Sequence, residues 1–322
     1  MNIAIVSTHR SWNEESYAWA SYHQALGFSK IYVFVDDENA DIDVKPSSVH
    51  LAFRGASYWQ RDSSQAALSE VRTAIATASW GSPEAVMYRQ VFNARTGVDC
   101  ARSDNVDWLL HIDCDEYFWC PDVSIDEHFE SLARDGVTHA HYWNHEGIVL
   151  RAPARGGGSS AWFRKNWEAL SEQQRSIIPS LHPHKAYFLS YSNGKSAARI
   201  DTTTEPHGVH YFKSSGAVAP CSIETSRPGV LHVPYRTAEQ FCQKHLAQGG
   251  FPDRAFGAPW VPQRLYSDAR ELVRNGNREA LRALYEKAVV VDEAEFANLV
   301  AHDFLLELNI ELGEDRCDSV EI

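Results

Sequence analysis

Two carboxylates one residue apart, Asp113 and Asp115, close a hydrophobic run, Trp108-Leu109-Leu110-His111-Ile112. The run predicts a short buried strand. In open α/β sheets, ligands bind beyond the C-terminal ends of the strands. Side chains alternate along an extended backbone, so Asp113 and Asp115 are expected to point the same way and Cys114 away. Two hard oxygen ligands on one side suit a divalent cation, and the cation can in turn hold phosphates. Glu116 and the aromatic Tyr117-Phe118-Trp119 follow directly. The plain alternative is an acidic cluster on a loop at a helix start.

Other segments carry chemistry of a compatible kind. The first strand ends in Ser7-Thr8-His9-Arg10-Ser11-Trp12-Asn13-Glu14, polar side chains at a helix N-terminus, which suits an anion or a nucleotide. Thr8 and Asn13 are the candidates there. A second strand, Ile31-Tyr32-Val33-Phe34-Val35, ends in Asp36 and Asp37, where a carboxylate can accept from ribose hydroxyls or a base edge. Asn193-Gly194-Lys195-Ser196 is a turn signal carrying a cation: Lys195 either reaches a diphosphate or tips a solvated hairpin. Of 15 histidines, His210 in His207-Gly208-Val209-His210 is the candidate imidazole for the cation, with His207 and His232 in reserve. Mixed carboxylate and imidazole ligation fits Mn²⁺ better than a pure oxygen cage does. Glu146 follows Trp143: the ring could stack on a sugar and the carboxylate could take a proton, or the pair is a core Trp beside a surface Glu.

The elements that must position these residues are readable in outline. Ile3–Val6 predicts a first strand, and Ser11-x-x-Glu14 a capping box opening a helix that ends at Gly27. Val49–Phe53 is a weaker strand, and helical patterns cover 63–79 and 84–102. Strand–helix alternation over the first 120 residues indicates a parallel, nucleotide-binding sheet. Shorter strands are expected within 137–151 and at 185–191, 209–213 and 230–234, with a loop at Gly156–Ser160. Helices are expected at 237–247, 266–274, 277–287 and 292–312. The last carries Phe296, Leu299, Val300, Phe304, Leu305 and Leu308 at helical spacing.

Bulk properties exclude several classes. The 322 residues carry a net charge of −13, which argues against nonspecific nucleic-acid binding. No Gly-x-Gly-x-x-Gly or P-loop pattern occurs, so dinucleotide dehydrogenases and P-loop NTPases are disfavoured. The six cysteines form no Cys-x-x-Cys pair, and a reduced compartment is the economical reading. The chain starts directly on a strand and has no apolar stretch near 18 residues. A cytoplasmic protein without a transmembrane segment is therefore expected, with peripheral association as its route to a membrane.

Taken in order, these segments resemble the GT-A glycosyltransferases of the family 2 and family 92-like group. The resemblance rests on Asn13-Glu14, Trp19-x-x-x-His23, Leu26-Gly27, the strand into Asp36, and Gln90-x-x-Asn93. It continues through Asp107–Phe118, Asn193-Gly194-Lys195-Ser196, Gly208-Val209-His210, His232-Val233-Pro234-Tyr235, and Thr237-Ala238-Glu239-Gln240-Phe241-x-x-Lys244 with Gly249. Cys114 stands where the group usually has an aliphatic residue. The resemblance implies an α/β GT-A domain over 1–250, with a nucleotide-sugar half at 1–120 and an acceptor half at 121–250. Residues 251–322, beyond the resemblance, are expected to form a helical region packing on it. It implies Mn²⁺ or Mg²⁺ on Asp113 and Asp115, and a nucleotide-sugar, UDP-linked by preference, near Thr8, Asn13, Asp36, Gln90, Asn93 and Lys195. It further implies inverting transfer of a hexose to a glycan or lipid-linked saccharide, with Glu146, Asp201 or Glu205 as base. The competing classes are a nucleotidyl- or phosphotransferase and a catalytically silent domain that binds sugar nucleotide or glycan.

Overall fold

The structure is a computed structural model and describes residues 1–37, 47–60, 83–151, 160–181, 187–214, 222–247 and 263–310. The expected helix at 63–79, the loop residues 156–159, His182, His184, Gly249, Cys221 and Cys317 lie outside the described residues. Strand β1 (Ile3–His9) leads into α1 (Glu14–Leu26), β2 (Lys30–Val35) and β3 (Val49–Phe53). Short α2 (Ala56–Gln60) and long α3 (Pro83–Ser103) precede β4 (Trp108–His111) and β5 (Glu116–Trp119). Next come α4 (Ile125–Arg134), β6 (His139–Gly147), β7 (Val149–Leu150), β8 (Ser160–Arg164) and α5 (Glu172–Leu181). Strands β9 (Lys195–Arg199), β10 (Thr204–His207), β11 (Tyr211–Ser214) and β12 (Ser222–His232) follow. The last elements are α6 (Ala238–Ala247), α7 (Gln263–Arg274), α8 (Arg278–Ala288), β13 (Val290–Val291), α9 (Glu293–Ala301) and β14 (Leu305–Asn309).

One mixed sheet organises the chain. Its continuous order is β14-β8-β6-β9-β4-β1-β2-β3, with β12 on β6 and β5 on β12. Strands β3, β2, β1 and β4 run parallel. Then β9 is antiparallel to both β4 and β6. The expected α/β class, with a parallel half-sheet built from the first part of the chain, is therefore observed. Every residue of β1 is buried, the apolar Ile3–Val6 as a strand covered on both faces requires and the polar Ser7–His9 along with them. Helix α3 lies close on β1 because position 97 is glycine: a Cβ there would come within 2.5 Å of Val6 Cγ2. Among the described residues, no helix is long and apolar enough to cross a membrane.

Three local expectations are corrected. Helix α1 is capped by Asn13, whose side chain accepts from the Ser16 N–H at 3.0 Å, and not by a box from Ser11 to Glu14. Residues 187–191 form an irregular strap without ladder pairing. The pattern at 292–312 is a helix and a strand: α9 ends at Ala301, Asp303 turns the chain at φ 55°, and β14 pairs antiparallel with β8. Apolar residues across a helix–turn–strand junction kept helical spacing by coincidence. Gly27 does end α1 in the left-handed conformation, at φ 118°.

Candidate functional site

The C-terminal ends of β1, β2 and β4 share one rim. Because β9 is antiparallel to β4, with His111 facing Ser196, its first residue Lys195 reaches the same rim. Asp113 and Asp115 sit just beyond β4, but not on the extended backbone expected for them. The chain turns there, with the Glu116 N–H donating to the Asp113 carbonyl at 3.1 Å. Glu116 Oε2 in return accepts the Asp113 N–H at 2.7 Å. A turn, rather than an extended strand, therefore carries the two aspartates and leaves Cys114 exposed.

Each aspartate meets its own lysine. Lys195 Nζ donates to Asp113 Oδ2 at 2.7 Å and to the Val209 carbonyl at 3.2 Å. Lys244 Nζ, from α6, donates to Asp115 Oδ2 at 2.9 Å. Lys195 is completely buried, which rules out the solvated hairpin tip. Its backbone entry depends on Gly194, at φ 65°, where a Cβ would stand 2.3 Å from the Tyr142 carbonyl. Burial alone would discharge Lys195; Asp113 and Glu116 hold it above the ordinary lysine value. Burial opposes ionisation of both aspartates as well, but Lys195 keeps Asp113 low and Lys244 keeps Asp115 well below the usual carboxylate range. Buried Glu116, with Asp113 beside it, is pushed up to about 7.

Tyr191, on the irregular strap, is the hub of the site. Its hydroxyl bridges Asp113 Oδ2, at 3.2 Å, and Glu116 Oε1. Its ring centroid lies 4.8 Å from that of His232 and 5.0 Å from that of His210. Buried amides hold the strap: Asn144 donates to the Tyr191 carbonyl at 2.9 Å, and Asn166 to the Ser192 carbonyl at 3.1 Å. Glu146 Oε1 accepts the Leu189 N–H at 2.7 Å.

The donor-side candidates assemble around α3. Gln90 donates to Asp113 Oδ1 at 3.1 Å, and Asn93 to Thr8 Oγ1 at 3.0 Å. Arg54 donates to Asn93 Oδ1 at 2.6 Å, its guanidinium 4.1 Å above the Phe34 ring. Arg89 Nε donates to Asp36 Oδ2 at 2.9 Å, while Asp36 Oδ1 is buried without a partner. His9, at the end of β1, is buried with Nε2 also unpartnered. Thr8, Asp36, Gln90, Asn93, Lys195, Asp113 and Asp115 thus gather at one rim of the sheet, whereas Asn13 spends its carbonyl oxygen on the α1 cap.

The proposed base residues stand elsewhere. Glu146 has no exposed surface, and Arg164 lies 3.7 Å away, so it is a buried ion-pair member and strap holder that an acceptor hydroxyl cannot reach. Asp201 lies past the far end of β9, beside the N-terminal end of β4, where its carboxylate takes the Thr203 N–H at 2.7 Å. Glu205 pairs with Lys213 at 3.7 Å on the solvent side of the β10–β11 hairpin. His210 also departs from expectation: its Nδ1 lies 2.9 Å from the Gly194 carbonyl and donates to it, and burial lowers its pKa to about 4. His207 is exposed, and His232 is the histidine at the pair. It is fully buried, with Nε2 3.5 Å from Asp115 Oδ2 and neither ring nitrogen well hydrogen-bonded.

The donor set of Asp113, Asp115 and the orphaned His232 imidazole fits a divalent cation in kind. Among the described residues, no three such side chains yet converge on one point. The lysines occupy the carboxylate oxygens instead.

Tyr191, Lys244, His9, Arg54 and Arg89 were not assigned a role from the sequence. Lys244 had a signal, its place in the Phe241-x-x-Lys244 segment, and Arg89 precedes Gln90. Tyr191 had none.

No protein-family model matches the chain. Two glycosyltransferase-like proteins of Arabidopsis thaliana are 25% and 24% identical to it, over 248 and 246 residues. Each match takes in 72% of this chain, but 53% and 47% of the relatives, so the chain spans about half the length of the curated relatives it matches. Among solved structures, the mannosyltransferase Ktr4p of S. cerevisiae in complex with GDP aligns with a TM-score of 0.30 and 11% identity, covering 62% of this chain and 57% of its own. GalNAc-T7 with UDP, GalNAc and Mn²⁺ aligns with a TM-score of 0.34 and 11% identity, covering 94% and 57%. The relatives' names agree with the motif resemblance at the level of glycosyltransferases.

Proposed function

We propose that the chain is a glycosyltransferase that moves a hexose from a nucleoside-diphosphate sugar to an acceptor hydroxyl. The observation that carries the reading is the convergence of Asp113, Asp115, Lys195 and Lys244 at the C-terminal rim of a parallel half-sheet. The two relatives named glycosyltransferase-like support it. In this reading, Lys195 and Lys244 present fixed positive charge to a diphosphate, and Tyr191 and Gln90 orient Asp113. A divalent ion, Mn²⁺ or Mg²⁺, held by Asp113 and Asp115 with His232 as the favoured third ligand, would offset charge developing on the departing diphosphate.

UDP is the favoured carrier. The pairing edge of uracil offers an acceptor, a donor and an acceptor. Asp36 Oδ1, an unpartnered acceptor beside the Arg89 guanidinium, offers part of the complement. Guanine needs two adjacent acceptors, and one Asp36 oxygen is already engaged by Arg89. A glycan or lipid-linked saccharide acceptor and a single displacement with inversion complete the proposal, its base outside Glu146, Asp201 and Glu205.

The test is release of UDP from a panel of UDP-sugars with Mn²⁺ and mixed saccharide acceptors, with the anomeric configuration of the product read by proton NMR. Acceptor-dependent release with inversion is expected. Turnover of none of the nucleotide sugars, UDP- or GDP-linked, would overturn the activity, and a retained anomer would overturn the stereochemical course.

A further inference from the structure

We propose that Tyr211 and Trp143, backed by His141 and bordered by Glu224, form a platform for an uncharged saccharide unit, the inner residue of an acceptor that extends beyond the sugar being glycosylated. The choice of ligand rests on the glycosyl-transfer reading. The platform itself rests on the side chains. His141 is buried, and its ring lies nearly parallel to that of Tyr211, with centroids 4.7 Å apart and planes 12° apart. Trp143, two residues along β6 and so on the same face, meets His141 edge-on at 4.6 Å and 80°. Gly194 makes room for the imidazole, since a Cβ there would stand 2.8 Å from His141 Nε2. Tyr211 is nevertheless 40% exposed, and Trp143 is half-buried. A buried imidazole thus fixes the plane of an exposed aromatic ring beside a second ring that is partly open.

The platform stands on the same rim as Asp113. Strand β6 runs parallel to β4, because β9 is antiparallel to both, and Trp143 follows Tyr142, the partner of Lys195. Tyr211 follows His210, which donates to the Gly194 carbonyl and whose ring centroid lies 5.0 Å from that of Tyr191. Tyr191 in turn bonds to Asp113. Two rings therefore separate Tyr211 from the aspartate, which suits a sugar next to the reacting one and not the reacting one itself. Exposed Glu224 faces His141 across the β6–β12 ladder. Burial, and then the Glu224 carboxylate, push the Tyr211 phenol above its ordinary pKa, so carboxylate and ring are neighbours. Ring faces carry partial negative charge and attract the C–H face of a pyranose, while sugar hydroxyls donate to the carboxylate. The same carboxylate, in a chain of net charge −13, repels phosphate and acidic sugars. Two aromatic side chains also offer far less than the roughly 800 Å² per side that a stable protein partner needs.

The test needs no nucleotide sugar. Calorimetry is run on the wild-type chain with maltotriose, cellotriose, mannotriose and N-acetylchitotriose and with the corresponding monosaccharides. One of the trisaccharides should bind roughly ten-fold more tightly than its monosaccharide. Tyr211→Ala should weaken that binding by about ten-fold, the worth of one stacked ring, and Tyr211→Phe, which keeps the ring, should retain it. Thermal unfolding and UDP binding should be unaltered in both variants, because Tyr211 is exposed and stands outside the aspartate–lysine cluster. Binding of no trisaccharide by the wild type overturns the inference. So does undiminished binding by folded Tyr211→Ala, or an equal loss in Tyr211→Phe. Ring-dependent trisaccharide binding in a chain that turns over no nucleotide sugar overturns the functional reading and leaves the platform standing. Turnover with trisaccharides no better than monosaccharides as acceptors overturns the platform and leaves the functional reading standing.

Discussion

The parallel half of the sheet and the mixed half bring side chains to one rim by different means. In the parallel half, Thr8 lies near the end of β1, Asp36 and Asp113 follow the ends of β2 and β4, and α3 bonds to them through Asn93, Arg89 and Gln90. Each side chain is placed by the strand just before it or by one helix. In the mixed half, Lys195 comes from the start of an antiparallel strand, Tyr191 from a strap, His232 from the end of β12 and Lys244 from α6. The strap and the entry to Lys195 rest on buried polar scaffolding: Asn144, Asn166 and Glu146 bond to the backbone of residues 189–194. The parallel side is thus set by topology, and the facing side by desolvated hydrogen bonds, which are costly to break.

Substitutions that remove one charge from the buried scaffolding sharpen that contrast most. Asp113→Ala leaves Lys195 buried without its closest counter-charge and should cost about 3–5 kcal/mol in urea unfolding. A cost under ~1 kcal/mol would mean that the Lys195–Asp113 contact does not organise the halves. Glu146→Gln keeps an acceptor for the Leu189 N–H but removes one of the two carboxylates beside Arg164, leaving Glu295 at 3.2 Å, and should cost about 1–3 kcal/mol. Stability equal to wild type together with lost turnover would return Glu146 to the role of base.

Acid should act through buried neutral imidazoles. Burial lowers His23 and His111 to about 3, against 6.5 for a free side chain. Between those values the unfolded chain binds protons that the folded chain does not, so stability falls as pH drops from about 6.5 toward 3. Each such histidine contributes up to about 1.4 kcal/mol per pH unit. His23 lies away from the cleft, its Nδ1 donating to the Trp19 carbonyl and its Nε2 accepting from the Phe118 N–H. Equilibrium unfolding from pH 7 to 5 should show this slope, and His23→Gln should flatten it; an unchanged slope in the variant would remove His23 from the account.

Tyr191→Phe deletes only the hydroxyl that bridges Asp113 and Glu116. It should weaken binding of UDP with Mn²⁺ about ten-fold, or ~1.4 kcal/mol, and unchanged affinity in titration calorimetry would demote Tyr191 to packing. Glu205→Gln marks the lower bound. On an exposed hairpin outside the cleft it should shift stability by less than ~0.5 kcal/mol and leave nucleotide binding unaltered, and a large binding loss would bring that hairpin into the site.

The same division explains what the sequence revealed. Strand-end reasoning reached Thr8, Asp36 and Asp113 because a parallel sheet delivers ligands to one rim. Even there the mechanism differed, since a turn and not an extended strand carries Asp113 and Asp115. Tyr191 is 78 residues from Asp113, and Lys244 is 129 from Asp115. Such contacts follow from antiparallel registry and helix packing, which local patterns do not encode. Glu146 misled because an aromatic neighbour and a carboxylate look alike in a core and in a cleft; burial beside Arg164 separates the two. His210 and His232 were indistinguishable by spacing, and only their partners divide them: one donates to the Gly194 carbonyl, the other lies against Asp115.

The most direct test of the central claim, that Asp113 and Asp115 form a metal-assisted diphosphate site, is calorimetric titration of UDP into wild type and Asp115→Ala with and without Mn²⁺. The wild type should bind UDP more tightly with Mn²⁺ present. Asp115→Ala should remain folded and lose that dependence. Equal Mn²⁺-dependent binding of UDP by both proteins would contradict the account.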